Sequence, residues 1–293
     1  LDVIEFEFKF KGNEADEHRI DFYDVNQALI GFQRSLALTT HLVLNDKIIT
    51  QAPALKGARI YALPSEESSW KMTAVVALVA TGLYKVGTAP HDTLIGHLIY
   101  SMYDYVVMET LGFHIDYNKS LGQLYEEAQK QKSPLPRLTQ ARADALIEKC
   151  STAVKEMHRP IFMNTTATSG LLTGKINGKD FPLPAQLSLQ TYEYLSETYI
   201  SPDVEEIVGR ISSYNSNSYK GRIYVPTEGR PVTFELAINA RSLKSIRLVT
   251  ASLSASALER RSDNGYIQCR ALRELSKSGQ LKRYRIVEII GPA

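Results

Sequence analysis

Within eleven residues, from position 214 to position 224, the chain places Tyr214, Asn215, Tyr219, Lys220, Arg222 and Tyr224. Aromatic faces stack on nucleobases for about 1–3 kcal/mol per base, and Lys and Arg side chains contact phosphate, so this mixture suits a single-stranded nucleic acid or a nucleotide-type anion. Lys282, Arg283 and Arg285, near the C-terminal end, extend the same chemistry. These nine residues form the candidate binding set.

Catalytic and metal chemistry has weaker support. Ser169 to Lys175 resembles a phosphate loop, but one residue is missing between Gly170 and Gly174, and Ile176 stands where magnesium needs a hydroxyl. His18, His41, His91, His97, His114 and His158 have no paired metal-ligand spacing, and no G-x-S-x-G elbow occurs. His91, Asp92 and His97 read as capping and packing residues. A hydrolase or metal-dependent nuclease could draw only on scattered carboxylates such as Asp21, Asp24 and Asp104. No catalytic residue, metal ligand or cofactor is therefore assigned. Cys150 and Cys269 lie far apart and read as reduced, part-buried thiols of a cytoplasmic protein.

Charge is divided unevenly. Residues 203–293 hold 15 Lys+Arg against 9 Asp+Glu, a net +6, while residues 1–202 hold 19 against 23, a net −4. A basic C-terminal part points to a polyanionic partner. Hydrophobic content of 44% and charged content of 23% exclude a largely disordered or fibrous chain.

The elements that must carry the binding set are legible as strands. Positive patterning predicts GRISSYN from Gly209, KGRIYV from Lys220 and PVTFELA from Pro231, then a helix over 239–260, then GYIQCRALREL and LKRYRIVEII. Three strands, a helix and two strands are the order of a five-stranded OB-type barrel. The run Gly209, Tyr214, Asn215, Gly221, Tyr224 and Phe234 resembles the first three strands of cold-shock and related OB-fold proteins. That resemblance implies a single-strand binding face, although Ser212, Ser213 and Ile223 stand where such proteins carry further aromatics. On the helix, Leu243, Ile246, Val249, Leu253 and Ala257 read as the inner face and Arg241, Lys244 and Arg247 as the outer one. Arg260 and Arg261 suit the helix C-terminus electrostatically.

Upstream, Val3 to Phe10 alternates as a strand, and His18 to Phe22 reads as its hairpin partner. Asp24 reads as the N-cap of a helix with Val25, Leu29, Phe32, Leu36 and Val43 on its apolar face and Asn26, Gln33, Arg34 and His41 on its polar face. Gly57–Leu63 and Ser69–Val76 read as strands joined by Pro64–Ser68, with the second alternatively part of a long apolar helix. Met72–Tyr84, at 13 residues, is too short to cross a bilayer as a helix and reads, with the following segment to Met108, as a buried helical pair. Helices are predicted over 91–110, 121–130 and 139–158, the last stopping before Pro160. Residues 130–137 read as a linker and 165–184 as a loop or loose hairpin. Trp70 reads as an edge-strand aromatic at a core margin.

The expected fold class is α+β: an N-terminal α+β domain over 1–130, a helix and linker region over 131–202, and an OB-like barrel over 203–293. The first 130 residues, with LDVIEFEFKF at their start, DVNQALIGFQRSLALTTHLV and GARIYALPSEESSWKMT, resemble a bacterial family of two-domain proteins of unknown function. That resemblance implies a bacterial cytoplasmic protein in defence or mobile-element biology. The expected function is non-enzymatic: the barrel contacts nucleic acid or a nucleotide-type anion, and the N-terminal domain serves self-association or recruits a protein partner. A protein-assembly module without nucleic acid is the alternative.

Overall fold

The first strand shows how the chain builds its larger core. In β1 (Val3–Lys11), Ile4, Phe6, Phe8 and Phe10 are buried while Glu5, Glu7 and Lys9 on the opposite face are half-exposed. A period of two in hydropathy makes one buried and one open sheet face. The computed structural model describes residues 3–63, 70–79, 89–130, 135–176, 179–258 and 265–293, with the side chains of 89–93, 118–119 and 129 left aside. The expected turns at 64–68 and 177–178, residues 80–84 of the apolar run, the His91 and Asp92 side chains, and Arg260–Arg261 lie outside what is described.

The chain divides into two compact units, Leu1–Leu195 and Ser196–Ala293. In the first, a 3-10 turn (Asn13–Glu17) follows β1, and α1 (Phe22–Asn45) begins where Asp21 Oδ1 accepts from the Asp24 amide. The predicted hairpin strand at 18–22 does not form, because Asp21 caps a helix there and His18 takes a left-handed conformation at φ 61°. His41 also departs from expectation. It is buried, and its Nδ1 accepts from the Lys56 amide at 3.1 Å, so it belongs to the packed side of α1.

Next come β2 (Ala58–Leu63) and β3 (Lys71–Leu78). The apolar run at 72–78 is thus a strand. It is flanked on both sides by other strands, and a central strand reads as continuous apolar sequence that periodicity cannot tell from a buried helix. Then follow α2 (Ala89–Thr110), a π-turn (Asn118–Gly122), α3 (Gln123–Lys130), α4 (Gln140–Glu156) capped by Thr139, and the short α5 (Arg159–Phe162). β4 (Ser169–Ile176) and β5 (Lys179–Leu187) pair antiparallel with a register shift between Leu171 and Thr173, so the expected loop or loose hairpin is a paired one, and α6 (Leu189–Ser196) follows. The resemblance of 169–175 to a phosphate loop dissolves in β4.

Sheet order is β2-β3-β1-β4-β5, antiparallel throughout. Residues of α1, α2 and α4 and the inward side chains of the sheet form one buried cluster, in which Phe6, Phe8, Phe32 and Tyr103 make tilted or edge contacts. α1 and α4 approach so closely at Gly31 that a β-carbon there would sit 2.3 Å from the Ala153 carbonyl oxygen. Leu135, in the predicted linker, and Leu138 just after it are buried in the same cluster, as are residues of α4, β4 and β5. Cys150 and Cys269 are buried free thiols, each pushed up to about 12 by burial. No helix among the described residues is long and apolar enough to cross a membrane.

The second unit consists of β6 (Tyr199–Asn215), β7 (Lys220–Val225), β8 (Arg230–Leu236), α7 (Leu243–Leu258), β9 (Tyr266–Leu275) and β10 (Leu281–Pro292). They close as β10-β8-β7-β6-β9, with β8 and β10 parallel and every other pair antiparallel. Numbered one to five, the strands run 1-2-3-5-4-1, which gives the expected five-stranded barrel with one helix between its third and fourth strands. Ile211, Ile223, Val232, Phe234, Ala271 and Ile286 fill its interior. Pro202, where the expected helix and linker region ends, sits in β6 as a register irregularity between Ile200 and Val204, where β6 pairs with β9 on either side.

Candidate functional site

The β6–β7 turn gathers four of the nine candidate residues. Asn215 closes it locally, its Oδ1 accepting from the Asn217 amide at 3.0 Å, as short polar side chains do in turns. Asn215 pairs with Lys220 across the two strands, and Tyr219 takes a left-handed conformation at φ 57°. The Tyr219 carbonyl accepts from the Leu236 amide at 2.9 Å, which ties the turn to the end of β8. Tyr214 lies one pair deeper, opposite Gly221, with its ring parallel to that of buried Phe234 at 6.3 Å. Gly221 must be glycine: a β-carbon would meet the Ser213 carbonyl at 2.1 Å and the Phe234 ring at 2.9 Å.

A fifth residue, absent from the candidate set, completes the cluster. Arg241 follows a 3-10 turn (Ile238–Ala240); its Nε donates to the Leu236 carbonyl at 2.9 Å and its guanidinium lies 4.5 Å over the Tyr219 ring. One edge of the guanidinium faces Glu235 at 3.6 Å. Arg241 precedes α7 and is half-buried on the turn, whereas Lys244 and Arg247 are exposed on the helix as expected. The Tyr214 hydroxyl is buried without a hydrogen-bond partner among the described residues. Burial, then Tyr219, raises its pKa against a lowering by Arg241. A guanidinium stacked on a phenol offers a planar cationic face to a base and hydrogen bonds to an anion.

The remaining candidates lie elsewhere. Arg222, opposite Thr233 and Ser213, is only 3% exposed, so its guanidinium is not at a surface that a phosphate reaches. Tyr224 is half-buried opposite Arg210 and Pro231. Lys282 donates to the Glu197 carbonyl and to Thr198 Oγ1.

Arg283 and Arg285 both bind Glu274, which is 1% exposed; Arg285 Nη2 reaches it at 2.7 Å, and Arg283 also reaches Glu235 at 3.4 Å. Arg273 bridges Glu228 and Glu205, and Arg270 bridges Glu206 and Glu288. These cross-strand pairs neutralise cations that composition counts as available for phosphate. Only sheet register reveals them, since Glu235 is 48 positions from Arg283.

The scattered carboxylates do not converge. Asp21 caps α1, Asp24 binds Arg159 Nε at 3.0 Å and Asn164 Nδ2 at 2.9 Å, and Asp104 lies in the C-terminal half of α2. His97 sets its ring edge-on to Phe181. Among the described residues, no group of three or more His, Cys, Asp or Glu is placed to hold a metal ion.

No curated protein and no solved structure matches this chain. Both compact units correspond to recognised sequence families, and the larger match covers well over half of the chain. The barrel, over residues 203–289, matches the Family of unknown function (DUF7947). Through residues 6–196 the protein belongs to the family described as Domain of unknown function (DUF7946).

Proposed function

We propose that this protein is a non-enzymatic binding protein whose barrel contacts a single-stranded nucleic acid or nucleotide-type anion at the β6–β7 turn, while the first unit serves association with a protein. The observation that carries the reading is the Tyr219–Arg241 stack beside Asn215 and Lys220, at the connection between the first two strands of an OB-ordered barrel. Barrels of this order use their second and third strands and the adjoining loops for oligonucleotides. Ion pairing of Arg270, Arg273, Arg283 and Arg285 confines the phosphate contacts to a few side chains. The salt dependence is then shallow: two or three contacts give a slope of about −1.4 to −2 in log affinity against log salt for a single strand.

The test is binding of labelled single-stranded DNA and RNA to the full chain at two salt concentrations, beside Tyr219→Ala and Arg241→Ala. Shallow salt-dependent binding that either variant weakens supports the reading. Absence of binding at low salt overturns it. The second reading, a protein-assembly module, draws on Val204, Val208 and Ile290, which are 37–54% exposed on the outer face of β6 and β10. Light scattering that gives one monomeric species at all concentrations removes self-assembly.

A further inference from the structure

The two edges of the first unit's sheet are built differently. At one edge, β5 carries Pro182 and Pro184, which have no amide hydrogen to offer another strand, and its pairing with β4 is interrupted by a register shift. Proline and irregularity are the usual protection of an exposed edge. At the other edge, β2 is regular over ARIYAL, without proline or bulge, and Tyr61 and Leu63 are 49% and 42% exposed.

The hydrogen-bond phase of β2 can be derived. The Val79 amide donates to the Gly57 carbonyl, and bonded pairs alternate along an antiparallel ladder, so Arg59, Tyr61 and Leu63 direct their backbone groups toward β3. Ala58, Ile60 and Ala62 direct theirs toward the open edge. The Phe10 amide bonded to the Trp70 carbonyl fixes the same phase independently, because it turns the even-numbered residues of β3 toward β1 and leaves the odd-numbered ones for β2. Among the described residues no strand pairs with the row of donors and acceptors at 58, 60 and 62, which is a template for one more strand.

Charge states what kind of strand fits. Arg59 is exposed on the same sheet face as Tyr61 and Leu63, Lys56 is exposed just before β2, and no carboxylate among the described residues pairs with either. A second copy of β2, paired antiparallel about Ile60, would set Arg59 opposite Tyr61, and ARIYAL holds no carboxylate to meet it. We propose that β2 accepts an extended segment of a partner protein as a sixth strand, with apolar residues opposite Tyr61 and Leu63 and a carboxylate opposite Arg59. The backbone ladder supplies affinity, and the alternate side chains supply selection.

The probe is a fluorescein-labelled peptide, Thr-Val-Thr-Val-Thr-Glu-Thr-Glu, titrated into the full chain by fluorescence anisotropy, beside the same peptide with Lys for Glu. Saturable binding of the Glu peptide, with at least several-fold weaker binding of the Lys peptide, is expected. Ala62→Pro removes an edge-facing donor but no β2–β3 bond, and weakens binding by about five- to tenfold or more with an unchanged circular dichroism spectrum. Arg59→Glu, an exposed change that leaves the ladder intact, reverses the preference between the peptides. Equal binding of both peptides, no binding of either, or Ala62→Pro binding like the parent overturns the proposal. So does a dimer by light scattering that Ala62→Pro abolishes, which would assign the edge to a second copy.

Discussion

Arg241 holds the β6–β7 turn from outside it: its guanidinium lies 4.5 Å over the Tyr219 ring while its Nε donates to the Leu236 carbonyl. The stack joins the first connection of the barrel to the segment that leads into α7, 22 positions later in the chain. Arg241→Ala removes both the cation–π contact and a charge-assisted hydrogen bond and costs about 1–2 kcal/mol of stability in urea unfolding. Arg241→Lys recovers little, because an ammonium lacks the plane that stacks and the fork that reaches Leu236 and Glu235 together. A full recovery by lysine would show that charge alone matters there.

Glu274 makes a second, separate prediction. Its carboxylate is 1% exposed and is clamped by Arg283 and Arg285, each about one-third exposed. Arg285→Ala leaves Arg283 in place and has a modest effect. The double variant Arg283→Ala, Arg285→Ala strands a buried charge and costs about 3–5 kcal/mol, beyond the sum of the single changes. Urea unfolding of the three variants closes the cycle, and strict additivity would refute a shared clamp.

His158 gives the first unit an acid limit. It is fully buried; Nδ1–H donates to the Val154 carbonyl at 2.9 Å, and Nε2 accepts from Thr191 Oγ1 at 2.9 Å. Burial lowers its pKa to about 4 from 6.5. Between those values the unfolded chain binds the extra proton, so stability falls as pH drops from about 6.5 to about 4, by up to about 3 kcal/mol. His158→Gln flattens that part of the profile of thermal midpoint against pH, and an unchanged slope would dismiss the assignment.

Asp104 has the opposite sign. Burial raises its pKa to about 6 from 3.8, and its Oδ1 is buried without a hydrogen-bond partner among the described residues. Here the folded chain holds the extra proton, so stability falls as pH rises from about 4 to about 6 and stays lower above that. Asp104→Asn removes this loss and stabilises the protein at pH 7 by about 2 kcal/mol. Calorimetry at pH 4 and pH 7 distinguishes the two groups, because the Asp104 change acts at pH 7 while the His158 change acts toward pH 4.

Legibility in the sequence followed the range of the interaction. β1, α1, α4, α7 and the five barrel strands were readable because alternation, helical spacing, the stop before Pro160 and glycine-led strands are local signals. The α1 cap was displaced from Asp24 to Asp21, since two acids three residues apart offer the same side chain to the same helix start. β3 was legible only as a strand at Ser69–Val76 or part of an apolar helix, and of the two readings the strand holds, because a strand with neighbours on both sides loses its polar alternation. The turn cluster of Tyr214, Asn215, Tyr219 and Lys220 was legible by composition, but Arg241 beside it was not, because its seat on Tyr219 depends on how β8 returns past the turn.

Composition and periodicity by themselves determined the α+β class, the strand–helix order of the barrel and the concentration of basic and tyrosine residues within it. Those properties need only covalent neighbours and the two backbone periods. Tertiary structure alone decided which cations are exposed, which are locked to Glu274, Glu228 or Glu206, and which sheet edge is open. Ion pairing and edge exposure depend on strand register and barrel closure, which bring together residues tens of positions apart, and Coulomb attraction at 3 Å leaves no trace in the spacing of the chain.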